Sequence, residues 1–205
     1  MVGFLLQTEP ATVTGLLKHK QSGLVELVKM DPTIKLDIRY ATANNFIGQP
    51  VYKEARAFLQ APAAAALANV SRKAKQHGFG LLVFDGYRPL QVTQLFWDLT
   101  PPDKRKFVAN PKNGSRHNRG CAVDLSFYDL KTGKEVEMPS GYDEMNEKAY
   151  PNYSGGTAEQ RKRRDLLISL MHAEGFIVNS VEWWHYDYKD WMKYPLLDVP
   201  FSDIH

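Results

Sequence analysis

The sequence is organised around the segment Ser115-Arg116-His117-Asn118-Arg119-Gly120-Cys121-Ala122-Val123-Asp124-Leu125, a polar loop that runs into an apolar strand. It places His117 and Asp124 seven residues apart. An imidazole and a carboxylate are both zinc ligands, and a catalytic zinc takes three protein ligands and keeps one position for a water. Residues an odd number apart on a regular strand point to opposite faces, so the two could share a metal only if an extra residue intervened. Gly120 is the natural place for such a bulge or turn.

A second segment with ligand chemistry lies further along the chain, at Val181-Glu182-Trp183-Trp184-His185-Tyr186-Asp187-Tyr188. Here His185 would be the third ligand beside His117 and Asp124, and Glu182 would be the general base that takes a proton from the bound water. Glu182 and His185 are three residues apart. That is same-face spacing on a helix but opposite-face spacing on the strand that the aromatic content favours. We therefore expect this strand to be twisted or to end near Glu182.

Several ordered motifs together resemble a known enzyme family. The residues Ser115, His117, Gly120, Ala122 and Asp124, followed by Glu-Trp-Trp-His at 182–185, are similar to the VanX-type D-alanyl-D-alanine dipeptidases. These belong to a zinc peptidase group shared with the VanY-type carboxypeptidases and the Hedgehog amino-terminal domain. Further matching segments extend the resemblance over residues 30–190, and they are Asp37–Phe46, Asp85–Pro89 and Tyr142–Met145.

The resemblance implies roles for residues whose own spacing assigns none. It implies that Arg88 stabilises the negative charge of the tetrahedral intermediate and that Asp143 receives the free amino group of the substrate. Ser115 would contact the substrate carboxylate, and Tyr40 would also contact the substrate. From the residues alone, an arginine at a strand end is more often part of a surface or capping ion pair. The segment 146–150 departs from the Ser-Glu-Arg-x-His form of the family, which leaves the substrate contacts of that loop open.

Length and composition exclude several classes of protein. The 205 residues fit one domain, 1–205, or one domain with a peripheral segment at 1–23. Lys and Arg number 26 against 23 Asp and Glu, a net charge of +3, and 43% of the residues are apolar. This is typical of a globular protein and predicts no nucleic-acid partner. The single cysteine, Cys121, excludes an internal disulfide and is predicted to be a small buried residue.

The amino-terminal residues do not resemble a targeting signal. Met1–Leu6 is a short apolar run without a preceding basic residue, and Glu9-Pro10 follows it. No run reaches the roughly 20 apolar residues that a membrane span needs. We therefore expect a cytoplasmic protein without a membrane partner, or a periplasmic one if a signal peptide has been removed. The sequence leaves the oligomeric state open.

Periodicity and turn residues predict an α+β fold with a central, mainly antiparallel sheet flanked by helices. Glycines at 78 and 175 mark the ends of the two long helices. The predicted strands are Leu24–Val28, Ile34–Ile38, Gly80–Phe84, Phe176–Val178 and Val181–Tyr188, and the predicted helices are Arg56–Gln76, Gln91–Leu99 and Ala158–Glu174. Residues 129–156 are predicted to form a hairpin and a long irregular loop of the kind that often covers a substrate.

The sequence thus predicts hydrolysis of D-alanyl-D-alanine by a water activated by one zinc per chain. One alternative is a D,D- or L,D-carboxypeptidase or endopeptidase acting on cell-wall stem peptides, which would need a cleft open at the amino end of the substrate. Another is a non-catalytic zinc-binding module, against which the presence of both Glu182 and Arg88 argues. Trp183 and Trp184 point to opposite faces of a strand, so at most one lines the site. The biological role and the breadth of dipeptide specificity stay open.

Overall fold

The computed structural model of the protein describes residues 22–205. The strands are β1 (Leu24–Glu26), β2 (Lys35–Leu36), β3 (Phe58–Gln60), β4 (Phe79–Asp85), β5 (Ala122–Asp129), β6 (Phe176–Asn179) and β7 (Glu182–Tyr188). The α-helices are α1 (Leu27–Met30), α2 (Ala61–Lys75), α3 (Leu90–Leu99) and α4 (Ala158–Ala173). Short 3₁₀ turns lie at Arg39–Ala41, Pro102–Phe107, His117–Arg119, Glu147–Ala149, Trp191–Lys193 and Phe201–Asp203.

The central sheet has five strands in the order β2-β4-β5-β7-β6. Only β2 and β4 are parallel, and every other pair in this sheet is antiparallel. Helix α2 packs on β4, and α4 packs on β6 and on α2. The predicted α+β class with a mainly antiparallel sheet is confirmed. Most of the predicted peripheral segment, residues 1–21, lies outside the described residues, and the single-domain organisation stays a prediction.

The amino-terminal half differs from the prediction in its local elements. The predicted helix at Arg56–Gln76 starts only at Ala61, because Phe58–Gln60 is a buried strand that pairs antiparallel with Leu24–Glu26. The residues after Glu26 form a helical turn instead of extending the predicted strand. Local propensity could not reveal these pairings, because a strand is stabilised by a partner that is remote in sequence.

The register of three neighbouring strands aligns polar side chains in one row. Asp124 of β5 lies directly opposite His185 of β7. On its other side Asp124 is paired with Asp85 of β4, because a bulge between Val83 and Asp85 shifts the register by one residue. Bulges are common beside active sites, where they redirect a side chain. The sheet therefore brings two carboxylates and an imidazole together from segments that are far apart in sequence.

The start of β7 is irregular, as the spacing of its polar residues predicted. Val178 of β6 pairs with Tyr186, but the next residue, Asn179, pairs with Glu182. The intervening residues of β7 therefore do not follow the regular ladder. This irregularity removes the opposite-face constraint between Glu182 and His185.

Gly120 forms the turn that precedes β5. Residues His117–Arg119 make a single 3₁₀ turn, and Gly120 ends it in a left-handed conformation with φ of +67°. Its N–H donates to the His117 carbonyl, and its own carbonyl accepts from the Gln60 N–H at 2.8 Å. Because the chain reverses here, His117 is not bound by the alternation of β5. The predicted turn at Gly120 is confirmed.

Two smaller predictions concern Cys121 and the membrane. Cys121 is fully buried, and burial raises the pKa of its thiol to about 12, so it is a packing residue. Among residues 22–205, no helix has both the length and the apolar character needed to cross a bilayer.

Gly120→Ala is expected to destabilise the protein more than Gly78→Ala, its matched control. Both glycines have positive φ, so each substitution costs about 1–2 kcal/mol of backbone strain. A Cβ at Gly78 meets nothing within 4 Å, whereas at Gly120 it would collide with Leu24 Cδ2 and lie 3.3 Å from the Gln60 nitrogen. Overpacking of this kind costs about 1–3 kcal/mol more. Urea unfolding of both variants measures the difference, and equal losses would contradict this account of the turn.

Candidate active site

A cavity of about 180 Å³ opens at the end of the sheet where β4, β5 and β7 align their polar residues. Every residue that the sequence predicted for the site lines it: Tyr40, Arg88, Ser115, His117, Asp124, Asp143, Glu182 and His185. These residues come from five separate segments of the chain, around Tyr40, Arg88, Ser115–Asp124, Asp143 and Glu182–His185. Their roles stay predictions, but the fold brings all of them to one place.

Three side chains in the cavity form a triangle of potential metal ligands. His117 Nε2 lies 3.1 Å from His185 Nδ1, and Asp124 Oδ1 lies 3.0 Å from His185 Nδ1 and 3.4 Å from His117 Nε2. Ligand atoms at about 2.0–2.1 Å from a tetrahedral zinc are roughly 3.3 Å from one another. Asp124 Oδ1 is buried, and the side-chain atoms that face it at the cavity are the two imidazole nitrogens. The triangle therefore fits a zinc ion, which these three side chains would hold.

Hydrogen bonds outside the triangle fix which nitrogen of each ring faces inward. His117 Nδ1 donates to the Gly86 carbonyl at 2.7 Å, which leaves the lone pair on Nε2. His185 Nε2 donates to Asp187 Oδ1 at 2.9 Å, which leaves the lone pair on Nδ1. Partners of this kind orient metal-binding imidazoles and raise their basicity. The hydrogen bond between Asp187 and His185 was not predicted, although a position two residues after His185 on the same strand places Asp187 on the same face.

The electrostatics of the triangle favour a positive charge between its members. Burial alone would raise the pKa of Asp124, but His117 and His185 outweigh it and hold that pKa well below its usual range. Burial alone would lower the pKa of His185, but hydrogen bonds to Asp124 and Asp187 outweigh it and raise that pKa. The buried carboxylate is thus stable only beside a cation, either a protonated imidazole or a metal ion.

Glu182 lines the same cavity outside the ligand triangle. Burial raises the pKa of its carboxyl group to about 8, with smaller upward contributions from Asp124 and Asp143. A metal ion close by would lower this pKa, because a divalent cation is the largest local charge in such a site. A half-buried carboxyl group with one weak amide partner, Asn179 Nδ2 at 3.5 Å, is suited to accept and return a proton.

Arg88 forms an ion pair and also lines the cavity. Its Nε and Nη2 donate to Asp85 Oδ2 at 3.0 and 2.7 Å, so it forms a buried ion pair. Its guanidinium also lines the cavity and lies over the ring of Phe96. Asp85 accepts two further hydrogen bonds, from the Tyr52 hydroxyl and the Gly86 N–H, both at 2.9 Å. Asp85 belongs to the matching segment Asp85–Pro89, but its ion pair with Arg88 was not predicted.

Asp143 is held in an unusual backbone conformation at the cavity wall. With φ of +59° it is the one non-glycine residue among 22–205 that has a positive φ, a conformation that Asp tolerates better than most residues. The Tyr40 hydroxyl donates to Asp143 Oδ2 at 2.7 Å. Burial raises the pKa of Asp143 to about 7. No cationic side chain forms an ion pair with it in the described part of the chain, so a cationic group of a ligand would stabilise its charge.

Ser115 and Trp184 lie at the cavity, and Trp183 lies away from it. Ser115 is buried at the cavity, and its Oγ accepts from the backbone N–H of His117 at 3.2 Å. Trp184 lines the cavity, whereas Trp183 donates from Nε1 to Ser140 Oγ at 2.8 Å, away from it. The structure therefore decides which tryptophan faces the site. Cavity residues that the sequence analysis did not identify include Phe46, Phe96, Lys106, Arg116 and Met145.

Comparison with known proteins gives consistent matches. A sequence profile of peptidase family M15, described as D-ala-D-ala dipeptidase, matches residues 20–204. The D-alanyl-D-alanine dipeptidase of Escherichia coli (strain K12) is 34% identical over 179 residues, which cover 87% of this chain and 91% of the relative. That of Enterococcus faecalis (strain ATCC 700802 / V583) is 34% identical over 204 residues, which cover 90% and 96%.

A solved structure of the vancomycin resistance D,D-dipeptidase VanXYg, in complex with a D-Ala-D-Ala phosphinate analog, has a TM-score of 0.42 to this chain at 19% identity. The alignment covers 81% of this chain and 66% of that one. A TM-score this low supports no conclusion about function.

The metal content of point variants tests the ligand triangle. The purified protein is expected to hold close to one zinc per chain, and His117→Ala and His185→Ala are expected to lose it, because two ligands cannot replace three. Glu182→Gln should keep its zinc, and His172→Ala, on the exposed end of α4, is the matched histidine control. Elemental analysis gives the ratio. Full zinc in either ligand variant would remove that residue from the set, and zinc loss in Glu182→Gln would make Glu182 a ligand.

Proposed function

The chain belongs to peptidase family M15, the D-Ala-D-Ala dipeptidases, and from this membership we propose that it hydrolyses D-alanyl-D-alanine with a zinc-activated water. The observation that carries the proposal is the single cavity that contains the ligand triangle, a buried carboxyl group, a buried guanidinium and a carboxylate without a cationic partner. Hydrolysis of a zwitterionic dipeptide needs each of these groups.

His117, Asp124 and His185 would hold the metal. A zinc bound there supplies a Lewis acid and lowers the pKa of a water so that it can attack at neutral pH. Glu182 takes the proton from that water and passes it to the nitrogen of the leaving D-alanine. Its buried position supports this role, because a carboxyl group with a raised pKa can both accept and return a proton near neutral pH.

Arg88 faces the negative charge that develops on the carbonyl oxygen during attack. Its pair with Asp85 holds the guanidinium in one orientation before the reaction begins, and a preorganised donor needs no rearrangement when the charge appears. Asp143 receives the ammonium group of the substrate, and Tyr40 fixes the orientation of that carboxylate. Ser115 lies beside His117 and binds the substrate carboxylate.

The size of the cavity supports a dipeptide over a longer peptide. Sites for drug-sized ligands typically measure about 300–1,000 Å³, whereas this one is about 180 Å³. A carboxypeptidase would need space beyond the amino end of the scissile residue, where the half-buried Asp143 carboxylate accepts a hydrogen bond from the Tyr40 hydroxyl. A non-catalytic zinc-binding module would have no use for Glu182 and Arg88 in the same cavity. The dipeptidase is therefore the better supported function.

The compartment, the partners and the domain organisation are also proposals. We retain the cytoplasm as the expected compartment, with the periplasm as the alternative. A small D,D-dipeptide is the expected ligand, and no nucleic-acid or membrane partner is expected. One domain spanning 1–205 is proposed for the whole chain.

Substrate length tests the role of Asp143. D-Ala-D-Ala is expected to be cleaved, whereas N-acetyl-D-Ala-D-Ala and a stem pentapeptide are not, because an acylated amine leaves the buried Asp143 charge without a partner. The L-Ala-L-Ala dipeptide is the control for stereochemistry, since it has the same charges and size. Each rate is measured as the release of free alanine, which is quantified by chromatography. Comparable rates on the pentapeptide would favour the carboxypeptidase.

Removal of the Arg88 guanidinium tests its catalytic role. Arg88→Ala is expected to lower kcat about 10²- to 10³-fold with a much smaller change in KM, because the interaction strengthens only as charge develops. Arg88→Lys should not restore full activity, since an ammonium cannot reproduce the two-pronged pair with Asp85.

Arg56→Lys is the matched control, because Arg56 forms a similar two-pronged pair with Glu26 outside the cavity. Zinc content and melting temperature are measured for all of these variants. A near-normal kcat in Arg88→Ala with intact zinc would leave Arg88 as a purely structural ion-pair residue.

A further inference from the structure

Tyr142 is a cavity neighbour to which neither the sequence nor the mechanism above gives a role. It is buried, with 7% of its surface exposed, and it lies in the loop directly before Asp143. Its hydroxyl donates to Asp124 Oδ2 at 3.1 Å. The other oxygen, Oδ1, is the one that faces the two imidazoles. The two oxygens of one carboxylate therefore have different environments, and Tyr142 makes the difference.

We propose that Tyr142 is a positioning residue for the metal, which holds Asp124 Oδ2 so that Oδ1 alone is presented to the ion. This inference rests on the metal site proposed above and concerns only the chain's own residues. A carboxylate can bind a metal through one oxygen or through both. A hydrogen bond to one oxygen favours binding through the other, and outer partners of this kind are worth a measurable part of metal affinity.

The ring of Tyr142 by itself does not explain a tyrosine at this position. It stacks on Phe84 with centroids 4.5 Å apart and meets Trp184 edge-on at 5.6 Å. A phenylalanine would make the same contacts. A buried hydroxyl, by contrast, is costly unless it has a partner, and its partner here is Asp124. The hydroxyl is therefore the informative part of this side chain.

The other tyrosine of the cavity does not provide a second donor to Asp124. Tyr40 does not replace Tyr142, because the Tyr40 hydroxyl donates its single proton to Asp143. The two adjacent tyrosines thus serve two different carboxylates.

The proposal connects the metal to the substrate-binding loop. Tyr142 contacts a metal ligand, and the next residue, Asp143, is the proposed partner of the substrate ammonium. A hydrogen bond across this loop, from the Gly141 N–H to Glu144 Oε2 at 3.0 Å, closes the turn that contains Tyr142 and Asp143. A displacement of the loop would therefore disturb both ends of the site at once.

Zinc affinity of Tyr142→Phe tests the proposal directly. Competition with a chromogenic chelator is expected to show binding about 10- to 100-fold weaker than in the unsubstituted protein, the usual effect of losing an outer partner. Tyr40→Phe removes a hydroxyl from the other carboxylate and should keep the zinc affinity. Tyr186→Phe is the second control, because Tyr186 follows His185 in the sequence and its buried hydroxyl has no hydrogen-bond partner within residues 22–205.

A second variant and a spectrum keep the test independent of folding defects. Tyr142→Met removes the same hydroxyl with a more adaptable side chain and should lose a similar factor of affinity. In the Co²⁺-substituted protein, the visible absorption of Tyr142→Phe should weaken, since Asp124 is then free to bind through both oxygens and the coordination number rises. Circular dichroism of the metal-free variants shows that they are folded.

Wild-type zinc affinity and an unchanged Co²⁺ spectrum in either folded variant would overturn the proposal. Equal loss of affinity in Tyr142→Phe and Tyr186→Phe would overturn it as well, because the effect would then follow from any buried hydroxyl. Both readouts are independent of peptide cleavage. If the protein cleaves no dipeptide and Tyr142→Phe still weakens zinc binding, the proposed function fails and this inference stands.

Discussion

The structure depends most on the antiparallel pairing of β5 with β7, which sets Asp124 directly opposite His185. Side chains of directly opposed residues lie on the same face and about 4.5–5.5 Å apart at Cβ, close enough to share an ion. A slip of one residue would turn one of the two to the other face of the sheet. His117 joins them only because the chain reverses at Gly120 before β5 begins. The ligand triangle is therefore a consequence of sheet register and one turn.

Two carboxyl groups of the cavity form no ion pair among residues 22–205, and they indicate what the cavity binds. The charge of Asp85 is compensated by Arg88, and that of Asp124 by the two imidazoles. Asp143 and Glu182 have no such partner, and burial raises their pKa values to about 7 and about 8. Buried carboxylates of this kind are costly unless a cation approaches them. A metal ion and the ammonium of a dipeptide are the two cations that would complete the site.

Irregular backbone at the ends of the inner strands creates the site. A bulge in β4 places Asp85 beside Asp124, and an irregular start of β7 places Glu182 in the cavity. Asp143 has a positive φ, which a regular element would not contain. Such deviations cost stability and persist where the surrounding structure determines them. Regular strands would point these carboxylates to opposite faces of the sheet. The irregular backbone brings them to the same end of it.

The fold class and several of the residues that line the cavity could be predicted from the sequence. Long buried runs such as β4, and the helix at 158–173, were predicted because their periodicity is local. The strand at 58–60 was not, since its stability comes from a partner remote in sequence. The metal-ligand residues could be predicted because few side chains bind zinc and their motifs are specific.

The contacts between these residues could be read only from the folded chain. The tertiary structure decided that Trp184 and not Trp183 lines the cavity, and that Arg88 is both an ion-pair partner and a cavity residue. It also revealed the hydrogen bonds that link Tyr142 to Asp124 and His185 to Asp187. Spacing along a chain gives the face of a regular element but not the register of its neighbours or the direction of a loop. Those depend on contacts between distant segments, which form only when the whole chain folds.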